Sequence, residues 1–334
     1  MAGKKTLFSL LTGRTVPESR KPGETIEGTA RIVDPRVDRL SAICSPEKTV
    51  YAENLFVLCP DASLNAENRG WLDAARRCDL ICLVVRAFAS EVVPHPSGSV
   101  DPARDCTALE SELLLADMAL VETRLARIAK EARGRASPDL PMEEKTLRKG
   151  MEAMENGKRL ADIELNSHEL RAIRSLDMLT LIPVLRAYNV AEEEAGREFG
   201  SGSLVVSALI EREIMGMDDP AERAAFLGAM GLATSGLNRM NAAAYDALGL
   251  MSFYTIGKDE VRAWSIRKGS TAPVAGGKIH SDIERGFVRV EVIKYDDLVA
   301  AGSEKAAREA GKVQLKGKDY VMEDGDICHF LFSV

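Results

Sequence analysis

The sequence predicts an α/β fold, in which a doubly wound sheet is interrupted by a helical insertion and followed by a small α+β module. Residues 53–58 and 80–88 are strand candidates, and residues 65–78 between them have a helical pattern. The second candidate, LICLVVRAF, is a nearly continuous apolar run, which is typical of a strand covered on both faces of a parallel sheet. This strand–helix–strand alternation indicates a doubly wound sheet.

A change of hydrophobic period at Val100 predicts the start of the helical insertion. Asp101 is a suitable N-cap and Pro102 suits the first helical position. Residues 103–132 contain neither proline nor glycine, and their apolar residues recur at helical spacing. We therefore expect a long helix that packs in a hairpin or coiled coil.

Breaks within the following segment divide the rest of the insertion into two shorter helices. Gly134 and Pro138 end the long helix, and residues 142–154 supply a second one. Ser167 is expected to cap a third helix that extends through residue 179. The predicted insertion thus spans residues 101–179.

The two flanking segments complete the predicted sheet. Residues 4–16 read as a first helix, and residues 17–29 are rich in Pro, Gly and Thr and are expected to form a loop. Beyond the insertion, the predicted strands are residues 181–188 and 203–207, and the predicted helices are residues 220–230 and 235–248. The sheet domain is therefore expected in two parts, residues 1–100 and 180–249.

The C-terminal module, residues 250–334, shows a strand, a short helix and a return strand. Residues 261–266 alternate apolar and polar positions, and residues 287–293 alternate again with β-branched and aromatic types. Pro273 and the pair Gly276–Gly277 are expected to bracket an irregular segment between them. Residues 279–284 are then expected to form a helical turn.

Composition limits the class of protein. The chain has 334 residues, 46% of them hydrophobic and 28% charged, which favours a soluble protein of two or three domains. No apolar run reaches the roughly 18 residues that a membrane span needs, and the N-terminal MAGKKTLFSLL lacks a convincing cleavage site. Since no such run is present, no membrane association is expected. The six cysteines lack CxxC spacing, so we expect buried free thiols in the cytoplasm.

The net charge of −7 is unevenly distributed. Residues 251–334 hold 13 basic and 13 acidic residues, which leaves 31 basic and 38 acidic residues in the remainder. A general electrostatic affinity for nucleic acid is therefore not expected, and DNA is not a predicted partner. Any contact with RNA would have to come from a local patch.

Three C-terminal segments resemble the TGS domain of the YchF, or Obg-like ATPase, family: AWSIRKGSTAPVAGGKIHSDIERGFVRVEV, KYDDL and GKDYVMEDGDICHFLFSV. The order of predicted elements along the whole chain is also similar to that family. The resemblance implies a P-loop NTPase-like doubly wound sheet that lacks its first strand. It further implies an inserted helical or coiled-coil domain and a C-terminal β-grasp TGS domain. Its functional implication is a ribosome-associated NTPase that binds ATP or GTP.

The sequence Gly3–Lys4–Lys5–Thr6–Leu7–Phe8 resembles the end of the family's phosphate-binding loop, GKSTLF. The match makes Lys4 the phosphate lysine and includes Gly3 and Thr6 in the nucleotide site. Lys5 occupies the Mg²⁺-ligand position, where an ammonium group cannot coordinate a cation, so a bound Mg²⁺ is doubtful and no metal ligand is assigned.

The strand and the first glycine that precede this loop in the family are absent from the sequence. That strand lies in the middle of the family's sheet, so its loss would leave buried backbone groups unpaired. Either a misplaced start codon omits the strand, or the sheet has rearranged to close the gap.

Two further motifs differ in how well they are kept. Thr25 in ETIEG matches the family's switch I threonine. The family's DxxG motif contains an aspartate that orients a metal-bound water. The corresponding residues here are Leu58–Cys59–Pro60–Asp61–Ala62, so Leu58 takes the place of that aspartate. The family's histidine beyond this motif has no counterpart, because the nearest, His95, lies past the next strand. These differences favour loss of hydrolysis.

Base recognition is better preserved. Asn189 and Glu192 in NVAE fit the family's NxxE, and the resemblance implies that Asn189 hydrogen-bonds the base. Ser207 and Ala208 in SALIE resemble the family's SAKIE loop, whose amides contact the base. Both motifs follow predicted strands.

Basic side chains of the C-terminal module are the candidate RNA or ribosome contacts, since they could bind phosphates. They are Arg262, Arg267, Lys268, Lys278 and Arg285.

The sequence therefore predicts a nucleotide-binding protein of a ribosome or RNA–protein complex with impaired or lost hydrolysis. One alternative is an active ATPase or GTPase whose phosphate-loop strand is omitted by a misplaced start codon. Another is a regulatory module that senses a small ligand through its TGS domain.

Overall fold

The computed structural model describes residues 2–17, 19, 21, 23–62, 70–133 and 139–333. Its helices are, in chain order, α1 (Lys4–Thr12), α2 (Pro35–Cys44), α3 (Gly70–Ala75), α4 (Pro102–Glu131), α5 (Leu140–Glu155), α6 (Ser167–Ile173), α7 (Ala208–Gly216), α8 (Pro220–Ala229), α9 (Gly236–Ala247), α10 (Ala272–Ile279), α11 (Ser281–Arg285), α12 (Tyr295–Ala301) and α13 (Glu304–Glu309). Its strands are β1 (Ile26–Arg31), β2 (Lys48–Val50), β3 (Glu53–Leu58), β4 (Ile81–Ala87), β5 (Val184–Val190), β6 (Ser203–Val206), β7 (Leu250–Thr255), β8 (Glu260–Arg267), β9 (Phe287–Lys294), β10 (Gln314–Lys316) and β11 (Asp326–Phe332).

The contacts divide the chain into two compact units. The first unit comprises Met1–Gly28 and Phe56–Met240, and the second comprises Thr29–Leu55 and Asn241–Val334. Residues 29–55 thus belong with the C-terminal module, an association that the sequence analysis did not predict. The four predicted domain boundaries stay a prediction. None of the described helices has the length and apolar character needed to cross a membrane.

The first unit contains a parallel sheet in the order β4-β5-β6. Side chains of β4 alternate between two layers of helices, which explains its continuous apolar run. Leu83 packs with Leu113 of α4 on one face, whereas Val84 packs with Leu7 of α1 on the other. All three strands were predicted, with boundaries that differ by at most three residues.

Strands β1 and β3 form a separate two-stranded sheet. Within the described residues, neither strand is hydrogen-bonded to β4, so a rearranged sheet that pairs β3 with β4 is not observed. The expected loop at residues 17–29 was wrong at its end, because β1 begins at Ile26. Gly28 is in this strand, where a Cβ would lie 2.7 Å from the Cβ of Thr12. This glycine therefore permits close packing and does not mark a turn.

The helical segment is built on α4, which starts as predicted. Asp101 caps α4 by accepting a hydrogen bond from the Arg104 amide at 3.0 Å, and Pro102 is the first helical residue. The core between α4, α5 and the following turns contains Val121, Ile128, Leu147, Met154 and Ile173. The predicted helix breaks at Gly134 and Pro138 lie outside the described residues.

Two predictions at the end of this segment were wrong in detail. The N-cap of α6 is Asn166, not Ser167, since the Asn166 side chain accepts from the amides of His168 and Glu169. The helix stops at Ile173 instead of continuing to residue 179, and short 3₁₀ turns follow it.

A buried carboxylate connects these 3₁₀ turns to α4. Asp117 has no exposed surface, and it accepts hydrogen bonds from the Arg76 guanidinium at 2.8 Å and from the Thr180 amide at 2.7 Å. One side chain thereby joins three segments of the first unit.

The second unit is a six-stranded sheet in the order β10-β9-β11-β7-β8-β2. The pairs β2–β8 and β7–β11 are parallel, and the pairs β7–β8, β9–β11 and β9–β10 are antiparallel. The predicted strands at residues 261–266 and 287–293 are confirmed as β8 and β9. Apolar clusters cover the sheet, and Phe253 and Tyr254 are fully buried on adjacent positions of β7.

The expected irregular segment around Pro273 was wrong, because these residues form α10. Pro273 lies in the first turn of α10, where a missing amide hydrogen costs nothing. A Cβ at Gly276 would lie 2.7 Å from Ile283, and a Cβ at Gly277 would lie 2.3 Å from Glu284. Both glycines thus allow α10 and α11 to pack closely.

Candidate nucleotide-binding site

Asn189 connects two backbone segments at the carboxyl edge of the β4-β5-β6 sheet. Its side chain is almost completely buried near the end of β5. The side-chain Nδ2 donates to the Ala2 carbonyl at 3.0 Å, and Oδ1 accepts from the Ala208 amide at 3.0 Å. Asn189 therefore joins the start of α1 to the start of α7. Its predicted hydrogen bond to a base stays a prediction.

Gly3 allows α1 to approach Asn189 closely. It precedes α1 in the left-handed region with φ of 84°, and a Cβ there would lie 2.3 Å from the Asn189 Nδ2. A side chain would meet both a steric and a conformational penalty at this position. Gly3 thus lies at the predicted site, beside Asn189.

Lys4, the predicted phosphate lysine, is bound to the loop that follows β3. Its Nζ donates to the carbonyls of Cys59 and Pro60, both at 2.8 Å, and forms an ion pair with Asp61 at 3.0 Å. The carboxylate of Asp61 is therefore the anion beside Lys4 in this conformation.

The same loop also contacts the Cys78 thiol. A hydrogen bond with the Cys59 side chain, together with burial, raises the pKa of the Cys78 thiol above its usual range.

The neighbouring positions bear on metal binding. Lys5 is exposed in the first turn of α1, Thr6 follows it half-buried, and Thr25 is half-buried just before β1. Leu58 ends β3 and is 2% exposed, so an apolar side chain fills the position predicted for the DxxG aspartate. Residues 63–69, which follow this motif, lie outside the described residues. His95, the histidine nearest to this motif in the sequence, contacts α4, where its Nε2 lies 2.9 Å from the Asp105 carboxylate.

Residues of the two base-recognition motifs lie at the ends of β5 and β6. Glu192 is half-buried and begins a 3₁₀ turn after β5. Ser207 is the N-cap residue of α7 and is 4% exposed, and within the described residues its Oγ has no hydrogen-bond partner. The Ala208 amide donates to Asn189, and its predicted contact with the base stays a prediction. A buried hydroxyl without a partner at a helix N-terminus fits the addition of a polar ligand.

Glu211 of α7 holds the second half of this loop system in place. It is 3% exposed, and its Oε1 accepts from the Gly236 amide at 2.6 Å at the start of α9. Burial raises the pKa of Glu211, and hydrogen bonds from Ser235 and Gly236 oppose the rise. Its role is therefore to fix the start of α9 against α7.

Sequence reasoning missed Arg86, which is the register partner of Asn189 in the sheet. It is 3% exposed near the end of β4. The signal that could have identified it is an arginine inside the otherwise apolar run LICLVVRAF. Buried arginines are rare unless they are paired.

The candidate RNA contacts are spread over the second unit and are partly neutralised. The Arg262 guanidinium lies 4.2 Å from the Trp264 ring centroid and 3.6 Å from the Glu260 carboxylate. The Lys268 ammonium is 2.5 Å from the Asp246 carboxylate, and Arg285 forms an ion pair with Asp282. Arg262 and Arg267 lie five residues apart on β8, a separation of about 17 Å. Lys278 is exposed in the last turn of α10. Their role in binding RNA stays a prediction.

Within the part of the chain that the structure describes, no three His, Cys, Asp or Glu side chains are grouped in a way that could hold a metal ion.

Comparison with known proteins gives concordant matches. A family model named YchF-GTPase_C, described as "Protein of unknown function (DUF933)", matches residues 250–333. The ribosome-binding ATPase YchF of Bacillus subtilis is 38% identical over 356 residues, covering 99% of this chain and 96% of that protein. The same-named protein of Escherichia coli O157:H7 is 38% identical over 353 residues, with the same coverage. The structure of the Schizosaccharomyces pombe YchF GTPase matches with a TM-score of 0.84 and 30% identity, covering 98% of this chain and 94% of that one. These matches confirm the predicted fold class.

Proposed function

The chain belongs to the YchF family, and from this premise we propose that it binds ATP or GTP but hydrolyses it poorly or not at all. Its relatives are named ribosome-binding ATPases, and a ribosome or another RNA–protein complex in the cytoplasm is the proposed partner. The single observation that carries the loss of hydrolysis is the buried Leu58 at the end of β3.

The proposed binding site is the carboxyl edge of the β4-β5-β6 sheet, where ligands of open α/β sheets bind. Asn189 holds the starts of α1 and α7 together there. The Ser207 Oγ, which has no hydrogen-bond partner among the described residues, is available to a polar ligand. In this proposal the nucleotide base is held by Asn189 and the start of α7. Gly3, Thr6 and Thr25 lie around the phosphates, and Glu192 borders the base.

The proposed loss of hydrolysis follows from the chemistry of two positions. A phosphoryl-transfer site needs a group that orients the attacking water and a metal ion that neutralises charge on the phosphates. An aliphatic side chain at Leu58 cannot orient a water, and the ammonium of Lys5 cannot replace a hydroxyl ligand of Mg²⁺. We therefore infer that triphosphate binding depends little on Mg²⁺.

A steady-state phosphate-release assay tests the proposal. With ATP or GTP and Mg²⁺, the purified full chain is expected to release phosphate at the background rate, and Lys4→Ala is expected to leave that rate unchanged. Release above background that Lys4→Ala abolishes would overturn the proposal, since it would show that Lys4 takes part in turnover.

The ion pair between Lys4 and Asp61 leads to a prediction about affinity. Because a phosphate must replace the Asp61 carboxylate at the Lys4 ammonium, Asp61→Asn is expected to tighten ATP or GTP binding. Asp61 is 74% exposed, so the gain is expected to be only about two- to fivefold. Isothermal titration calorimetry measures it. Asp73→Asn, an exposed acidic position of α3, is the matched control and should leave the affinity unchanged; equal effects of the two variants would contradict the prediction.

A further inference from the structure

Four buried side-chain polar atoms have no hydrogen-bond partner among the described residues, and two of them flank Asn189. The four are Trp71 Nε1, Arg86 Nη1, Arg159 Nη1 and Ser207 Oγ. Arg86 pairs in register with Asn189 across β4 and β5, and Asn189 pairs with Val206, the residue before Ser207. Two unsatisfied donors thus lie at one edge of one sheet, on both sides of the residue that organises it.

The Arg86 side chain is on the same face of the sheet as α1. Register partners on adjacent strands direct their side chains to the same face, and Asn189 reaches the Ala2 carbonyl at the start of α1. The residues on either side of Arg86, Val85 and Ala87, pack with Cys106 of α4 on the opposite face. Arg86 and the predicted phosphate-binding end of α1 therefore share a layer.

The charge of Arg86 is not balanced by a carboxylate of any residue that the structure describes. Its Nε donates to the Phe88 carbonyl at 3.0 Å and its Nη2 to the Val93 carbonyl at 2.8 Å, while the guanidinium lies 4.7 Å from the Phe88 ring centroid. Within the described residues no ion pair involves Arg86, whereas Arg186 of the same sheet is paired with Glu110. Because an uncompensated buried cation is costly, a missing anion is the simplest reason to retain one there.

We propose that Arg86 contacts a phosphate group of the bound nucleotide through Nη1. The inference rests on the proposed function, which holds the base between β5 and β6. Strand β4 lies on the other side of β5 from β6. In this proposal, a ligand with its base at Asn189 and Ala208 extends its phosphates towards β4, along the face that carries the start of α1. Nη1 is buried in this conformation, so the contact requires a local opening that admits the phosphate.

The experiment compares the wild-type chain with Arg86→Gln, and with Arg186→Gln as the control. The control removes an equal charge from the same sheet on the face of α4, where Arg186 pairs with Glu110. Calorimetric titrations with ATP, GTP, adenosine, guanosine and pyrophosphate give the affinities. Arg86→Gln is expected to weaken triphosphate and pyrophosphate binding roughly 10- to 100-fold, as for a lost charged hydrogen bond, and to leave nucleoside binding within about twofold.

A folding defect is separated from a binding defect by a second variant. Arg86→Lys keeps the charge but loses the forked donors, so it is expected to fold and to lose less affinity than Arg86→Gln. If Arg86→Gln does not fold, Arg86→Lys must still lose triphosphate affinity relative to wild type while keeping nucleoside affinity. Equal triphosphate affinities in Arg86→Lys and wild type would then overturn the inference.

The titrations also separate the two proposals. Nucleotide binding that is equal in wild type and Arg86→Gln overturns the role of Arg86 and leaves the proposed function intact. Pyrophosphate binding that requires Arg86, without any nucleotide binding, supports the role of Arg86 and overturns the proposed function. Binding of neither overturns both, and a parallel loss in Arg186→Gln or for the nucleosides overturns the phosphate contact.

Discussion

Asn189→Ala is expected to weaken ATP or GTP binding by at least about tenfold. The substitution strands the partly buried Ala208 amide and Ala2 carbonyl, which both lose their hydrogen bond to Asn189. A stranded backbone group of this kind costs about 1–3 kcal/mol, and the cost is relieved only if the loops at α1 and α7 move apart. The predicted base contact is lost at the same time. Equilibrium titration with either nucleotide measures the effect.

Asn156→Ala is the control for this prediction. Asn156 is exposed at the end of α5, and its side chain donates to the Glu152 carbonyl one turn earlier in the same helix. Its replacement should leave nucleotide affinity unchanged. An Asn189→Ala protein that folds and binds as tightly as wild type would show that the carboxyl edge of β5 is not the binding site.

Asp117→Ala is expected to be the most destabilising of the substitutions considered. Removal of this unexposed carboxylate leaves the Arg76 guanidinium without its acid and the Thr180 amide without an acceptor. Breaking a buried pair costs about 3–5 kcal/mol. For a domain of this size, the thermal midpoint of the first unit is expected to fall by roughly 6–20 °C, measured by calorimetry.

Glu144→Ala tests whether burial is the cause. Glu144 pairs with Arg148 on the exposed side of α5 at 2.8 Å, so its loss should cost no more than about 0.5 kcal/mol. Similar shifts for Asp117→Ala and Glu144→Ala would contradict the assignment of Asp117 as the buried connection.

The sequence predicted the elements whose signals are local. The Asp101–Pro102 start of α4 and the apolar run of β4 were found because capping and double-sided burial leave a pattern in neighbouring residues. Glycine and proline misled the prediction where packing decides. Gly28 and Gly276 look like breakers in sequence, yet each accommodates a close neighbour, and only the three-dimensional contacts distinguish these uses.

The site was predictable in the same limited way. Resemblance to family motifs assigned Gly3, Asn189 and Ala208 to one nucleotide site, and in the structure these residues are in contact, although their role in binding stays a prediction. The ion pair of Lys4 with Asp61 depends on the path of the loop after β3. The position of Arg86 beside Asn189 depends on strand register. Neither is encoded in a short motif.

A single-turnover experiment tests the central claim most directly. The full chain is held in excess over ATP or GTP with Mg²⁺, separated from free nucleotide, and the bound nucleotide is identified after hours. We predict that the triphosphate is recovered intact from the protein and that Asn189→Ala retains far less of it. Recovery of bound diphosphate, formed at a rate that Lys4→Ala abolishes, would contradict the account.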